Sequence, residues 1–255
     1  MTSQGEGMFL LVTARGLVVA QPDGEAVWLP ELPALPGGGA AAVGPAVKIV
    51  PGYHVVEVTG EFLEAYPGYE TLRPVDFAHD RVVTRGVALW RNRKLNNFHP
   101  STGEELTYTS GNIVGRTPAG LEVFPRLDPA VIGIVTHREY LLLGRNAQRS
   151  GFYSLPAGYV DVGETLEEAF TREVLEETGR RVHDVRYWGS QPWAASGSIM
   201  LGFWGQTNDL EPVAETDGEL AEIRWVTRAE LPRVPLAAPG SIAHRMIMEW
   251  YNSGA

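Results

Sequence analysis

Short apolar runs separated by turn residues dominate the first third of the chain. Residues 9–13, 16–20 and 26–29 have strand character, and residues 47–58 return to it. Between them, residues 32–46 are rich in Pro, Gly and Ala and predict a loop. Over 76–93 the period changes: Phe77, Val82, Val83, Val87 and Leu89 recur at helical spacing. Residues 96–124 are polar and punctuated by Pro100, Gly103, Gly111, Gly115, Pro118 and Gly120, which predicts a compact loop-and-hairpin module.

The texture changes again at Asp128. Residues 130–135 and 140–143 are continuous apolar strands, followed by a Gly-containing loop and a helix from about 166 to 178. Further strands fall at 185–188, 199–204 and 223–226, and a helix over 241–251 closes the pattern. Alternating strands and helices give a mixed α/β reading with a domain boundary at 124–128. No internal repeat is visible.

The helix over 166–178 carries the chemistry. Thr165 and Glu168 form an S/T-x-x-E capping box that sets its start. Leu166, Phe170 and Val174 make its apolar stripe. Glu173, Glu176 and Glu177 stand at i, i+3 and i+4 and share a face. Like charges one turn apart cost about 0.2–0.5 kcal/mol, so a cation is expected to compensate. Arg172 is one such group. Clustered carboxylates also suit Mg²⁺ or Mn²⁺, which prefer oxygen ligands. Three glutamates alone would read as a solvated acidic face.

Composition narrows the function. The formal net charge is −10, which opposes broad attraction to nucleic-acid backbone or an anionic membrane. Phosphates can still be bound where metal ions lie between the two. There are no cysteines, so disulfides and thiolate metal sites are excluded, in keeping with a reducing compartment. Residues 8–20 are apolar but interrupted by Arg15 and Gly16 and have no basic flank, unlike a targeting segment. No apolar run approaches the length of a membrane span. The expectation is a cytoplasmic protein without membrane contact.

The stretch GYVDVGETLEEAFTREVLEETG, residues 158–179, resembles the Nudix box, G-x5-E-x7-R-E-U-x-E-E-x-G-U, where U is a bulky aliphatic residue. Gly158, Glu164, Arg172, Glu173, Val174, Glu176, Glu177 and Gly179 match at the required spacing. Only the final U departs, as Arg180, which reads as a packing position. The resemblance implies a Nudix α/β/α sandwich with a mixed sheet, an α/β (α+β) fold, over residues 127–255. A smaller β-rich N-terminal domain (1–95) and a ribbon-like module (96–126) would precede it. It also implies that Glu173, Glu177 and the Ala157 carbonyl bind metal, that Glu176 is a ligand or proton acceptor, and that Arg172 holds the glutamates. Glu164 belongs to the same catalytic set. Gly158 and Gly179 would permit tight backbone turns.

Further stretches are similar to the NADH pyrophosphatase subfamily. Ser190, Gln191, Pro192, Trp193 and Ser198 match its S-Q-P-W-P-F-P-x-S signature, but Ala194, Ala195 and Ser196 replace the central Pro-Phe-Pro. That loop, including Gly197, is implied to contact substrate. Gln191 and the serines can bond a base or ribose, and Trp193 can stack on a ring. Phe124 to Ile132 resembles the Y-P-R-x-D-P-x-I segment, with Phe124 in place of a substrate-contacting Tyr. Residues 218–225 resemble the segment that supplies a further metal-binding glutamate, here Glu219. Ser241 to Ile247 resembles S-I-A-x-x-L-I, which places Ala243 near substrate. In the weakly similar N-terminal region, Leu72-Arg73 resembles an L-R step whose Arg contacts substrate. Each of these residues, taken alone, reads equally as packing or surface.

The subfamily's zinc ribbon has no counterpart in ligands. Its four cysteine places fall on His99, Thr102, Thr117 and Gly120, and one imidazole cannot build a tetrahedral site. No structural zinc is expected. The resemblance implies metal-dependent hydrolysis of the diphosphate of NADH or NAD⁺ to nicotinamide mononucleotide and AMP, with NAD-capped RNA 5′ ends as a further substrate and a homodimer as the working state. Two alternatives stand beside it: ADP-ribose or another nucleoside diphosphate derivative as substrate, and a non-catalytic nucleotide sensor on the same scaffold. The intact glutamates oppose the sensor.

Overall fold

A computed structural model describes residues 7–109, 113–148 and 151–253. Gly111 lies outside them. The chain divides into two compact units, one formed by residues up to Leu127 together with Ala194–Gly197, the other by Asp128–Trp193 and Ser198 onward. Among the described residues no helix is long and apolar enough to cross a membrane.

The first unit is built on β1 (Met8–Val12), β2 (Val18–Ala20), β3 (Trp28–Leu29), β4 (Ala42–Val50) and β5 (Tyr53–Val58). It continues through α1 (Gly60–Ala65), β6 (Glu70–Leu72) and α2 (Arg81–Leu95). The sheet order is β4-β5-β1-β2-β6, with β3 also on β1; β1 and β5 run parallel. Period-2 alternation sorts β1 to two cores. Leu10 and Val12 pack with Val83 and Val87 of α2, and Leu11 packs with Phe62 of α1. Both faces are covered, which is why this strand is apolar without interruption.

Three expectations shift here. The predicted helix over 76–93 begins at Arg81, because the Asp80 carboxylate caps it, accepting from the N–H groups of Val82 (2.7 Å) and Val83 (3.0 Å). Phe77 instead ends a short 3₁₀ turn, Pro74–Phe77. The predicted loop over 32–46 gives way to β4 at Ala42, whose register shifts between Val43 and Val47. That irregularity takes up Gly44 at φ +67° and Pro45, which has no N–H to pair. The single strand read over 47–58 is a hairpin turning at Gly52, φ +79°.

Residues 96–127 close the unit with the small hairpin β7 (Gly115–Arg116) and β8 (Glu122–Val123). Two turns in this stretch, at His99–Gly103 and Thr117–Leu121, occupy the places of the ribbon's metal ligands. His99 Nδ1 accepts from the N–H groups of Ser101 (3.3 Å) and Thr102 (3.2 Å), and the Gly103 N–H donates to the His99 carbonyl. In the second turn Thr117 Oγ1 accepts from Leu121 N–H, and Gly120 N–H donates to the Thr117 carbonyl. Hydrogen-bonded turns thus hold both corners. Elemental analysis of protein purified without chelator is expected to find no stoichiometric zinc; one zinc per chain would contradict this account of the module.

The second unit contains β9 (Asp128–His137), β10 (Tyr140–Asn146), β11 (Ala157–Tyr159), α3 (Leu166–Thr178), β12 (His183–Trp193), β13 (Ser198–Gln206), β14 (Leu220–Val226) and α4 (Ile242–Asn252). The order is β12-β13-β9-β10-β14, with β11 on β9, and β13 runs parallel to β9. Alternate residues again face two cores. Val131 and Val135 pack with Phe170 and Val174 of α3, whereas Ile132 and Ile134 pack with Met246 and Ile247 of α4. The unit is therefore an α/β/α sandwich around a mixed sheet, as expected from the sequence. Gly133 allows α3 to seat: a Cβ there would overlap the Phe170 ring and come within 2.6 Å of the Phe203 carbonyl.

Candidate active site

Helix α3 starts where the capping box places it. Thr165 Oγ1 accepts from Glu168 N–H (3.2 Å), and the Glu168 carboxylate accepts from Thr165 N–H (2.8 Å). It ends at Gly179, which adopts the left-handed conformation at φ +70° that glycine adopts without strain. Gly158 behaves differently from the expected turn. It is extended within β11, and its missing side chain makes room for a ligand group: a Cβ there would fall inside the Glu173 carboxylate.

Arg172 organises one side of the helix. Its Nε donates to Glu164 (2.6 Å), Nη1 to Glu173 and Glu176 (2.8 Å each), and Nη2 to the Tyr159 carbonyl (2.9 Å) and Glu164 (3.0 Å). The bond from Arg172, with one from Asp161 N–H, holds the Glu164 pKa below the usual carboxylate range. Burial pushes Glu173 up, against the pull of Arg172.

Glu177 receives no such help. It is 3% exposed, and one oxygen accepts from Ala157 N–H at 3.1 Å. Among the described residues no cationic side chain bonds it. Burial pushes its pKa up to about 8, and the charges of Glu219, Glu173 and Asp217 push the same way. Glu219 is itself oriented by Asn146 Nδ2 at 2.9 Å. Three carboxylates thus bear on a fourth that is desolvated. Among the described residues no group of three metal-ligating side chains is already drawn together. The donor chemistry nevertheless fits a hard divalent cation: all-oxygen groups with excess negative charge, and room at Gly158 for the Glu173 carboxylate to reach in.

The other candidates are placed as follows. Gln191 is buried, and its amide fastens the start of α4, donating to the Gly240 carbonyl (2.8 Å) and accepting from Ile242 N–H (2.6 Å). Ser198 is buried, with its Oγ 3.2 Å from the Tyr159 hydroxyl. Pro192 is exposed and Trp193 partly buried at the end of β12. Ala243 is packed in the α4 core. Arg73, Phe124 and the loop Ala194, Ala195, Ser196 and Gly197 belong to the first unit. There Ala194 is buried in the core with Leu10, Arg73 pairs with Asp76 at 3.0 Å, and Phe124 is exposed.

Three residues of this site drew no attention in the sequence: Asp217, Asn146 and Tyr159. The one signal for Asp217 is its position two residues before Glu219. A cleft of about 210 Å³ elsewhere in this unit is lined by Arg138, Arg186, Arg228, Trp204 and Asp184. Three guanidiniums and one carboxylate suit an anion rather than a cation, the reverse of the acidic cluster at α3.

Comparisons with known proteins fall on the second unit. Residues 126–251 match the model of the NUDIX domain. The chain is 42% identical over 127 residues to the NAD-capped RNA hydrolase NudC of Vibrio vulnificus (strain CMCP6), covering 49% of this chain and 47% of that protein. It is 46% identical over 121 residues to the protein of the same name from Mycobacterium bovis (strain BCG / Pasteur 1173P2), covering 47% and 38%. The chain thus spans less than half the length of these curated relatives. A crystal structure of a NUDIX hydrolase from Nitrosomonas europaea shares the fold, with TM-score 0.51 and 22% identity over 62% of this chain and 91% of that one.

The burial of Glu177 has a pH signature. Its ordinary pKa of 4.5 rises to about 8 in the folded, metal-free chain, so between those values the folded state binds more protons than the unfolded one. Stability then falls as pH rises through this window. Glu177→Gln is expected to unfold at a temperature higher by roughly 5 °C than the parent at pH 8 without metal, and equally with it near pH 4.5. Thermal melts in chelator across this range test it; a constant offset at every pH would contradict it.

Proposed function

We infer, from a chain whose residues 126–251 form a NUDIX domain, that it is a metal-dependent pyrophosphohydrolase acting on NADH or NAD⁺. The observation that carries the reading is the uncompensated burial of Glu177 beside Glu173, Glu219 and Asp217. A buried carboxylate without a side-chain partner keeps its proton, and a cation bound beside it takes the proton's place. Mg²⁺ or Mn²⁺ held by Glu173, Glu177, Glu219 and the Ala157 carbonyl would neutralise the diphosphate and acidify a bound water. Water oxygen adds to one phosphorus, the bridging P–O bond breaks, and the products are AMP and the nicotinamide mononucleotide.

The chain's own groups set the geometry. Arg172 holds Glu173 and Glu176 on one side of the helix, and Glu164 fixes Arg172 from below. Glu176, the more exposed carboxylate, gives one oxygen to Arg172 and would accept a proton from the attacking water on the other. The SQPW segment and the curated relatives' names support an NAD-type substrate, and those names extend it to NAD-capped RNA. A net charge of −10 limits such an RNA contact to its capped end. The reading includes a cytoplasmic homodimer; the lack of cysteine supports the reducing compartment, and the subfamily resemblance supports the dimer.

One observation favours a second substrate. The 194–196 loop lacks the subfamily's aromatic ring, and Ala194 is buried in a core, so the loop offers no platform for a base. ADP-ribose, which needs one base site fewer, is the competing substrate.

Purified protein with Mg²⁺ or Mn²⁺ is expected to convert NADH to AMP and reduced nicotinamide mononucleotide faster than it cleaves NAD⁺ or ADP-ribose. Glu177→Gln is expected to lower kcat by roughly 100- to 10,000-fold, matching the several kcal/mol that a correctly held cation supplies. Product chromatography checks both. Faster ADP-ribose cleavage would install the second reading, and an active Glu177→Gln variant would overturn the metal-site assignment.

A further inference from the structure

The residue that ends the box is an arginine where the pattern has a bulky aliphatic one, and it is buried at 6% exposure. Its Nη1 donates to the Thr178 carbonyl at 2.7 Å, and its Nε and Nη2 both donate to the Leu210 carbonyl, at 3.1 and 2.9 Å. The Trp225 indole N–H donates to the same Leu210 oxygen at 2.9 Å, and its ring lies 5.5 Å from the guanidinium carbon. Among the described residues no carboxylate bonds this guanidinium. Desolvating an arginine for carbonyl partners is costly, and an aliphatic side chain would pack here at lower cost.

What Arg180 holds is the link from β13 to β14, residues 207–219. The link lies across the C-terminal end of α3, where helix carbonyls lack partners and positive charge is favoured. Val213 N–H donates to the Gly179 carbonyl (2.7 Å) and Asp217 N–H to the Glu176 carbonyl (2.9 Å). The contact is close enough that a Cβ on Gly179 would meet the Ala214 carbonyl at 2.5 Å. Next to Arg180, Arg181 pairs with Asp209 at 2.7 Å. The link ends in Asp217 and Glu219, with Glu219 N–H bonded to Asp217 Oδ1 at 2.9 Å.

We propose that Arg180 is a positioning residue for the metal centre: by clamping the Thr178 and Leu210 carbonyls it fastens the 207–219 link to the carboxylate helix and keeps Glu219 beside Glu173 and Glu177. The proposal rests on the metal-site reading above. It makes cation affinity depend on a side chain that touches neither cation nor substrate. An aliphatic residue could fill the space without bridging two backbone segments. Lysine could keep the charge but not the planar fork that reaches both carbonyls.

The test titrates Mn²⁺ into metal-free full chain by calorimetry, for the parent, Arg180→Met, Arg180→Lys, Glu219→Gln and the double variant Arg180→Met with Glu219→Gln. Arg180→Met is expected to weaken Mn²⁺ binding about tenfold, as removing a supporting partner of a ligand does. Arg180→Lys, which keeps the charge, is expected to weaken it nearly as much, with circular dichroism of each variant confirming the fold. In the Glu219→Gln background Arg180→Met is expected to add little, because the group it positions is gone. Parental Mn²⁺ affinity in both Arg180 variants, or an equal loss in both backgrounds, would overturn the proposal. A parent chain that binds no Mn²⁺ would instead overturn the metal-site reading on which it rests.

Discussion

The second unit is organised around the cost of burying Glu177. A carboxylate at 3% exposure, held by one backbone N–H and no side-chain cation among the described residues, is unstable as an anion in the fold alone. Its neighbours add to that cost, since Glu173, Glu219 and Asp217 bear the same sign. Each supporting feature keeps these groups together against their repulsion. The capping box fixes where α3 begins, Gly133 lets the helix seat against β9, and Gly158 leaves the space in which the Glu173 carboxylate rests.

The two arginines of the box divide the task. Arg172 lies on the accessible side and gathers Glu164, Glu173 and Glu176 through charge-assisted bonds. Arg180 lies on the buried side and gathers carbonyls, binding loop to helix. Arg172 bonds three carboxylates and one carbonyl, whereas Arg180 bonds carbonyls alone. Glu177 is bonded by neither, which leaves its carboxyl group to a proton or to a cation bound from outside the chain.

Much of this was legible in the sequence for local reasons. The bounds of α3 follow from Thr165, Glu168 and Gly179, all of which act within a few residues of themselves. The two cores of each unit follow from alternation along strands such as 130–135. The failures are those of long-range partners. Residue types at 44–45 hide a strand because the bulge that accommodates them is formed with β5. Helix α2 starts later than its periodicity predicts because Asp80 caps it only after the 3₁₀ turn that holds Phe77. Gln191 has the chemistry to bind a base, yet its amide meets Gly240 and Ile242, 49 and 51 residues away. Arg180 reads as a departure at a packing position, because one of its two partner carbonyls, that of Leu210, is 30 residues distant. The short helix α1 lacks a sequence signal beyond its Thr59 cap.

The central claim is that the carboxylates of α3 and the β14 segment form one cation centre. Crystals grown with MnCl₂ and AMP, measured at an energy where manganese scatters anomalously, test it most directly. The account predicts an anomalous peak among the carboxylates of Glu173, Glu177 and Glu219, next to the Ala157 carbonyl. A fully occupied peak elsewhere on the chain, with these four groups unliganded, would contradict it.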